Sequence, residues 1–367
     1  MLPAFQKLLQ SKSLELKSFT VRELRVVSNS FIGTHSGTFH CDEVLAVFLL
    51  QKHPKFKNHV LWRTRNKDEL SRCEILVDIG GVYDPKTKRF DHHQSTFKET
   101  FSSLRPEFGE DFSSIKLSSA GLIYVHYGEE IISEILKEFK IELSETQLKT
   151  VYLKMYSGFI KEIDAIDNGI PQHKKIPLYR VCTDISSRVR NLNPDWKTKK
   201  TPEEIDVAFA AAVKYVGEEF INKLKYFAIL WLPARTIVED AIQNRYNVHE
   251  SGCIIELEKT CPWQEHLMDI EELIGNVEIK FIIYKGVNND YRVHAVPVEQ
   301  GSFMSRNTLN KKWFGKRDEE LELISGIKGA IFVHQTGFTG GHWTREGAIE
   351  MAIKSLNGFE VSSDSVD

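Results

Sequence analysis

The hexapeptide Arg89-Phe90-Asp91-His92-His93-Gln94 places one carboxylate directly before two adjacent imidazoles. An imidazole binds a divalent cation or moves a proton, and a neighbouring carboxylate orients it. Successive side chains on a strand point to opposite faces, so His92 and His93 share one cavity only where a strand ends. There, one histidine holds a metal and the other faces a substrate. Groups of the same chemistry lie on both sides. His35, His40 and Asp42 fall within the loop 34–43, which leads into an apolar run. Asp78 ends the apolar run 74–77 and stands shortly before Gly80 and Gly81. Asp164 and Asp167 stand one helical turn apart, among Ile163, Ala165 and Ile166, which read as buried. Helix capping suits Asp42 taken alone, an Asx-turn suits Asp78 alone, and solvent suits an isolated acidic pair. Three loop ligands together, and acids set among apolar neighbours, point instead to a site.

Mixed carboxylate and imidazole ligands without a thiol suit Mn²⁺, Mg²⁺, Fe²⁺ or Zn²⁺. The set is too large for one ion and suits two, about 3.5–4 Å apart and bridged by a carboxylate. Asp78 is the expected bridge, being central in chain order and at a strand end. Cys41 lies among these ligands and reads either as packing or as a support behind them.

The positioning elements follow from the hydrophobic pattern. Residues 24–33 read as a buried strand feeding the 34–43 loop, and 44–50 as the helix after it. Strand, polar loop and helix start form the usual site geometry of an open α/β sheet. Residues 59–64 and 74–78 read as further strands, 67–71 as a short helix, and 83–88 as a hairpin turn that returns the chain to Asp91. Residues 94–116 form an unusually long loop. A helix is expected through residue 126 and again over 129–155, with a fresh start at Ser144, where Ser144 and Gln147 form a capping box. Asn168-Gly169 ends the helix that carries the two acids. After a linker-like stretch at 171–177 comes a long amphipathic helix over 203–230. Strands are expected at 254–257, 277–284, 291–296 and 329–334, then a glycine loop over 335–342 and a helix over 343–355. Gly340, Gly341 and His342 in that loop, with Arg345 beside them, make a candidate phosphate-binding turn. Arg188, Arg190, Lys197, Lys199 and Lys200, with Trp196, make either a track for a single nucleic-acid strand or a solvated face.

The whole chain sets the bounds. Its 367 residues are long for one core, and 41% are hydrophobic and 27% charged, as in a globular protein. No apolar run is long enough to span a bilayer, so no membrane partner is expected. The net charge of −3 gives no general attraction to nucleic acid, so a polyanion needs a local basic patch or metal ions. Five cysteines with no C-x-x-C pairing argue against a disulfide framework and structural zinc. The domain reading is a targeting or flexible arm over 1–30, a metal-binding domain over 31–200, a helical bridge over 201–231, a second α/β domain over 232–357 and a disordered tail over 358–367. Leu2, Phe5, Leu8 and Leu9 with interspersed lysines resemble a mitochondrial transit peptide, while Glu15 and Glu23 favour a surface helix or arm.

Seven stretches carry a family resemblance: GTHSGTFHCDE, DIGGVYDPKTKRFDHHQ, KLSSAGLIYVHYG, EIDAIDNGI, LNPDW, CPWQEHL and GFTGGHWTREGA, spanning residues 33–348. They resemble the DHH phosphoesterase superfamily, and within it the melanocyte-proliferating-gene family of 3′–5′ RNA exonucleases. The resemblance implies a mostly parallel sheet domain flanked by helices, then a smaller α/β domain, two divalent ions with Mn²⁺ ahead of Mg²⁺, and single-stranded RNA 3′ ends as substrate. It implies a mitochondrial or nuclear location, with the cytoplasm as a further option. By the same resemblance His35 matches the first histidine of the early loop and Asp42 its second acid. His40 stands where the first acid would be, with one residue more in the spacing, which leaves the loop's ligand set open. Asp78 matches the bridging acid, His92 the metal-binding histidine and His93 the one facing phosphate. Asp91 would then orient a histidine. The remaining acid matches Asp164 or Asp167, with Asp164 preferred, and Gly340-Gly341-His342 resembles the superfamily's substrate loop. His93 and Arg345 are the expected phosphate contacts, and Arg188 and Arg190 the expected strand contacts. A small-phosphate hydrolase and a non-catalytic binding protein on the same fold are the alternatives.

Overall fold

A computed structural model describes residues 30–357. The arm before residue 30 and the tail after 357 lie outside the described residues, as does the first part of the strand expected over 24–33. The chain is a mixed α/β protein of two compact units, Met1–Leu224 and Lys225–Asp367, each built on a five-stranded sheet flanked by helices.

In the first unit the sheet runs in the order β2-β1-β3-β5-β4, from β1 (Phe31–Thr34), β2 (Val60–Arg63), β3 (Ile75–Val77), β4 (Tyr83–Asp84) and β5 (Arg89–Phe90). All its pairings are parallel except β4 with β5, the hairpin expected over 83–88. Strands so short hold their place because they are buried: Phe31, Ile32, Ile75, Val77 and Phe90 are all sequestered. Helix α1 (Cys41–Lys52) follows β1 and packs on the long helix α2 (Ser119–Glu138). α2 runs unbroken across 126–129, where one helix is expected to stop and another to begin, and Leu122, Ile123, Val125, Ile131 and Ile132 along it are all buried. Ser144 caps α3 (Glu145–Met155) through the expected box with Gln147. A π turn at Tyr156–Ile160 then leads into α4 (Lys161–Asp167), which ends at Asn168 with Gly169 at φ +67°. The short helix α5 (Ile185–Arg190) and the long α6 (Pro202–Lys225) complete this unit's framework. Phe209 of α6 meets Phe39 edge-on, and Phe220 packs against Phe48 at a tilt of 58°.

Gly33 sets how closely β1 approaches β3. A Cβ there would stand 2.5 Å from Leu76 Cδ2 and 2.8 Å from Cys73 Sγ. Gly33→Val is therefore expected to lower unfolding free energy by about 1–3 kcal/mol through overpacking, as read from the urea midpoint.

In the second unit the sheet order is β6-β7-β8-β10-β9, from β6 (Ile254–Leu257), β7 (Phe281–Lys285), β8 (Tyr291–Ala295), β9 (Ala330–Val333) and β10 (Thr339–His342). Only β6 and β7 run parallel. Here the structure corrects the reading of residues 335–342 as a loop. Gly340 and Gly341 are strand residues, paired with Val293 and Arg292 on one side and Val333 and Phe332 on the other. Glycine is needed there for packing: a Cβ on Gly340 would stand 2.9 Å from both Leu309 Cδ1 and the Phe332 carbonyl. The helix after it spans Arg345–Asn357.

Candidate metal centre

The chain ends of the first sheet converge on one cluster. β1 ends at Thr34 and delivers His35, whose Nε2 lies 3.0 Å from Glu43 Oε1 and 3.3 Å from Asp78 Oδ2. The first turn of α1 carries Asp42 and Glu43, both buried. A helix start favours negative charge, and the Glu43 carboxylate also accepts the His40 N–H at 2.9 Å. β3 ends at Val77, and Asp78 turns the chain at φ +55°. Its N–H still donates to the Phe90 carbonyl, and Oδ1 accepts from the Ser119 hydroxyl at 3.2 Å. A non-glycine residue in the left-handed region costs of order 1–3 kcal/mol, a strain that clusters at functional sites.

β5 ends at Phe90 and releases Asp91, His92 and His93. Asp91 Oδ2 accepts the Gly81 N–H, and Oδ1 accepts from His93 N and lies 2.8 Å from His93 Nδ1. Asp91 is thus the brace that ties the glycine turn to the histidine pair. His92 points inward, with Nε2 3.0 Å from Asp167 Oδ2, 3.4 Å from Asp78 Oδ1 and 3.8 Å from Asp42 Oδ2. The His93 side chain is 64% exposed, and its ring centre lies 4.5 Å from that of His92. The strand does end here, so both imidazoles reach one cavity.

Ligand atoms of His35, His40 and Glu43 lie mutually close, as do those of Asp78, His92 and His93, of His40, Asp42 and Asp167, and of Asp42, Glu43 and Asp78. The sets overlap through His40, Asp42, Glu43 and Asp78. Both carboxylate oxygens of Asp42 and Nδ1 of His92 are buried without a hydrogen-bond partner, and His92 Nε2 has only the neighbouring carboxylates beside it. A polar atom buried so costs about 1–3 kcal/mol, and a cation coordinated by these atoms removes that cost. Charges tell the same story. Burial pushes the Asp42 carboxyl well above the usual carboxylate range, and the negative charges of Asp78, Asp167 and Glu43 push it further. Burial opposes protonation of His92 and His35, yet the carboxylates beside them hold each at about 9. Burial acts on Asp78 in the opposite sense, but His35 and His92 hold it below the usual range. A set of acids this crowded is short of positive charge, and its donors fit hard or borderline divalent ions.

The cluster forms one wall of a cavity of about 460 Å³ in the first unit, and Lys116, Asn168, Ser186 and Arg190 line it as well. Cys41 is buried and lines the same cavity, and burial pushes its thiol up.

Other residues singled out in the sequence stand elsewhere. Asp164 is fully buried, and its Oδ1 accepts from Ser118 N, Ser118 Oγ and Gly121 N at 2.9, 2.7 and 3.1 Å. It caps α2 while Asp167, one turn on, reaches His92. Arg188 lies on the exposed side of α5 and donates to the Thr183 carbonyl and Tyr215 hydroxyl, whereas Arg190 faces the cavity. In the second unit the Arg345 guanidinium is engaged by Glu256 through Nε and Nη2, at 2.6–2.9 Å. His342 is buried, with Nε2 3.0 Å from the Lys328 carbonyl and Nδ1 accepting the Thr344 N–H. Its ring braces the turn into the last helix. Glu43 is the residue that sequence reasoning passed over. Its signal was its place three residues after His40, where a capping glutamate belongs.

Residues 31–356 match a family described as MYG1_exonuc, an uncharacterised protein family (UPF0160). The chain is 46% identical over 328 residues to the MYG1 exonuclease of Rattus norvegicus, covering 89% of this chain and 84% of the relative. It is 46% identical over 328 residues to the MYG1 exonuclease of Homo sapiens, covering 89% and 85%. It is 42% identical over 334 residues to the MYG1 protein of Dictyostelium discoideum, covering 90% and 98%. With identity this high along almost the whole described chain, and the matched span holding every residue of the cluster, the protein belongs to the MYG1 family.

Proposed function

We propose that this protein is a nuclease, and more narrowly a divalent-metal-dependent phosphodiesterase of the DHH kind that removes nucleotides from RNA 3′ ends. The observation that carries the reading is the cluster itself: carboxylates and imidazoles delivered by β1, α1, β3, β5 and α4, of which His35, Asp42, Glu43, Asp78 and His92 are buried, with unpartnered atoms on Asp42 and His92. The names of its mammalian relatives, MYG1 exonuclease, support the same reaction class.

His35, His40, Asp42, Glu43, Asp78, His92 and Asp167 would hold two divalent ions, with Asp78 between the two sets. Such ions, when bound, lower the pKa of a water and neutralise charge on phosphoryl oxygens. The remaining work falls to the chain. Asp91 accepts from His93 Nδ1 and so orients the exposed ring on the cavity wall, where Nε2, when it carries a proton as well, donates to a non-bridging phosphate oxygen. Lys116 and Arg190 on the cavity wall supply positive charge for the neighbouring phosphates. The cavity has room for about one nucleotide, which suits removal of terminal residues one at a time.

Single-stranded RNA labelled at either end tests the reading. With the metal-stripped protein and added Mn²⁺ or Mg²⁺, a 3′ label should leave at once as a mononucleotide, while 5′-labelled strands shorten stepwise. A chelator should abolish both. Release from the 5′ end, internal cuts, or full activity in chelator would overturn it.

A further inference from the structure

The second unit has a cavity of its own, about 350 Å³, lined by Asn288, Asp290, Arg292, Arg317, Phe332 and Trp343, with Ile331 at its base. Its chemistry differs from that of the metal cluster. Two guanidinium groups converge on one aromatic ring: Arg292 Cζ lies 4.9 Å and Arg317 Cζ 5.5 Å from the centre of Phe332. Arg292 is held in place by Asp290, whose Oδ2 accepts at 2.8 Å. Asp290 is buried, and its Oδ1 has no hydrogen-bond partner. Arg317 is exposed, and among the described residues no carboxylate lies within ion-pairing distance of it. Trp343 leaves 59% of its surface in solvent, although its backbone is pinned by an N–H bond to the Gly329 carbonyl. Gly341 lets Phe332 lie close against the sheet, since a Cβ there would stand 2.8 Å from the ring.

Two arginines facing one carboxylate leave the cavity with an excess of positive charge. An exposed indole on a backbone held in place offers a flat face. Cation and aromatic plane side by side are what a single-stranded nucleotide uses, its base stacking while its phosphate meets a guanidinium. We propose that this cavity is a nucleotide subsite: Trp343 stacks a base of single-stranded RNA, and Arg317, with Arg292 behind it, takes the adjoining phosphate. The inference rests on the RNA reading above for the identity of the ligand, but not on hydrolysis.

Binding separates the two. The full-length Asp78→Asn chain, with Mn²⁺, is titrated into a 5′-fluorescein-labelled 12-nucleotide single strand of RNA and followed by anisotropy. Adding Trp343→Ala or Arg317→Ala should each weaken binding about tenfold. Trp343→Phe should keep most of the affinity, since phenylalanine still stacks. Thermal melts check that each variant is folded; both side chains are exposed, so each should melt with its parent. An affinity unchanged in both alanine variants, or no RNA binding by the parent, overturns the subsite. If the wild type removes 3′ nucleotides while these affinities stay level, only the subsite falls. If the wild type cleaves nothing while Trp343→Ala still costs tenfold, the subsite stands and the exonuclease reading falls. A loss that Trp343→Phe does not restore would also count against stacking.

Discussion

Asp78→Asn is expected to lower kcat on end-labelled RNA by at least about 10²–10³-fold while leaving the fold intact. The substitution is chosen for the backbone as much as for the charge. Asp78 sits at φ +55°, a region that asparagine enters readily and alanine does not. The main-chain bond from Asp78 N to the Phe90 carbonyl therefore survives, and so does an acceptor for the Ser119 hydroxyl. What disappears is the negative charge that lies 3.3 Å from His35 and 3.4 Å from His92. Asp78 is the one residue that belongs both to a set with His92 and His93 and to a set with Asp42 and Glu43. On the proposed two-ion reading, removing its charge weakens both cation positions together, and Mn²⁺ titration calorimetry should show both stoichiometry and affinity falling. Asp78→Ala should lose the same activity and some stability besides. An Asp78→Asn enzyme with wild-type kcat would remove the two-ion reading altogether.

The loop at 34–43, the acid at Asp78 and the histidine pair were legible because their signal is local. Each is a short apolar strand that stops at a polar residue, and strands buried on both faces read as continuous apolar runs. What depended on distant partners was hidden. Gly340 and Gly341 read as a loop because glycine has low strand propensity; their strand exists through pairing with β8 and β9, which no short window of sequence contains. Arg345 looked free because its partner, Glu256, is far away in the chain. Arg188 and Arg190 share one short helix, and only its docking decides that Arg190 faces the cavity and Arg188 faces Tyr215. Glu43 was masked by its second role, since a capping glutamate explains itself without a metal. Sequence spacing did not choose between Asp164 and Asp167 for a geometric reason. Both are one turn apart, and the π turn at Tyr156–Ile160 resets the facing of α4 in a way that spacing does not record.

That pair is separable in solution by two readouts that should move in opposite senses. Asp167→Asn should cost about 10²-fold or more in kcat, because its carboxylate lies 3.0 Å from His92 and joins His40 and Asp42 in one of the candidate sets. Asp164→Asn should retain activity, because the wild-type carboxylate spends its Oδ1 on the start of α2. Ser118, the residue before that helix, makes no side-chain cap of its own. Asn keeps the acceptor for Ser118 and Gly121 and presents an amide to the Tyr156 hydroxyl, which lies against Asp164. Asp164→Ala leaves those donors bare and should lower unfolding free energy by about 2–4 kcal/mol. The pH dependence makes a sharper test. Burial pushes Asp164 up to about 7, against the lowering effect of the bonds from Ser118 and Gly121. The folded state therefore keeps a proton that the unfolded state has lost, over the window between the usual carboxylate value and about 7. A group whose folded state binds more protons stabilises least at high pH, so this contribution falls as pH rises through that window and is flat above it. Relative to Asp164→Asn, the wild type should lose of order 3 kcal/mol between about pH 5 and pH 8, measured by urea unfolding in chelator. If the two proteins run parallel across that range while Asp164→Asn is inactive, Asp164 is an ionised ligand and its assignment as the α2 cap fails.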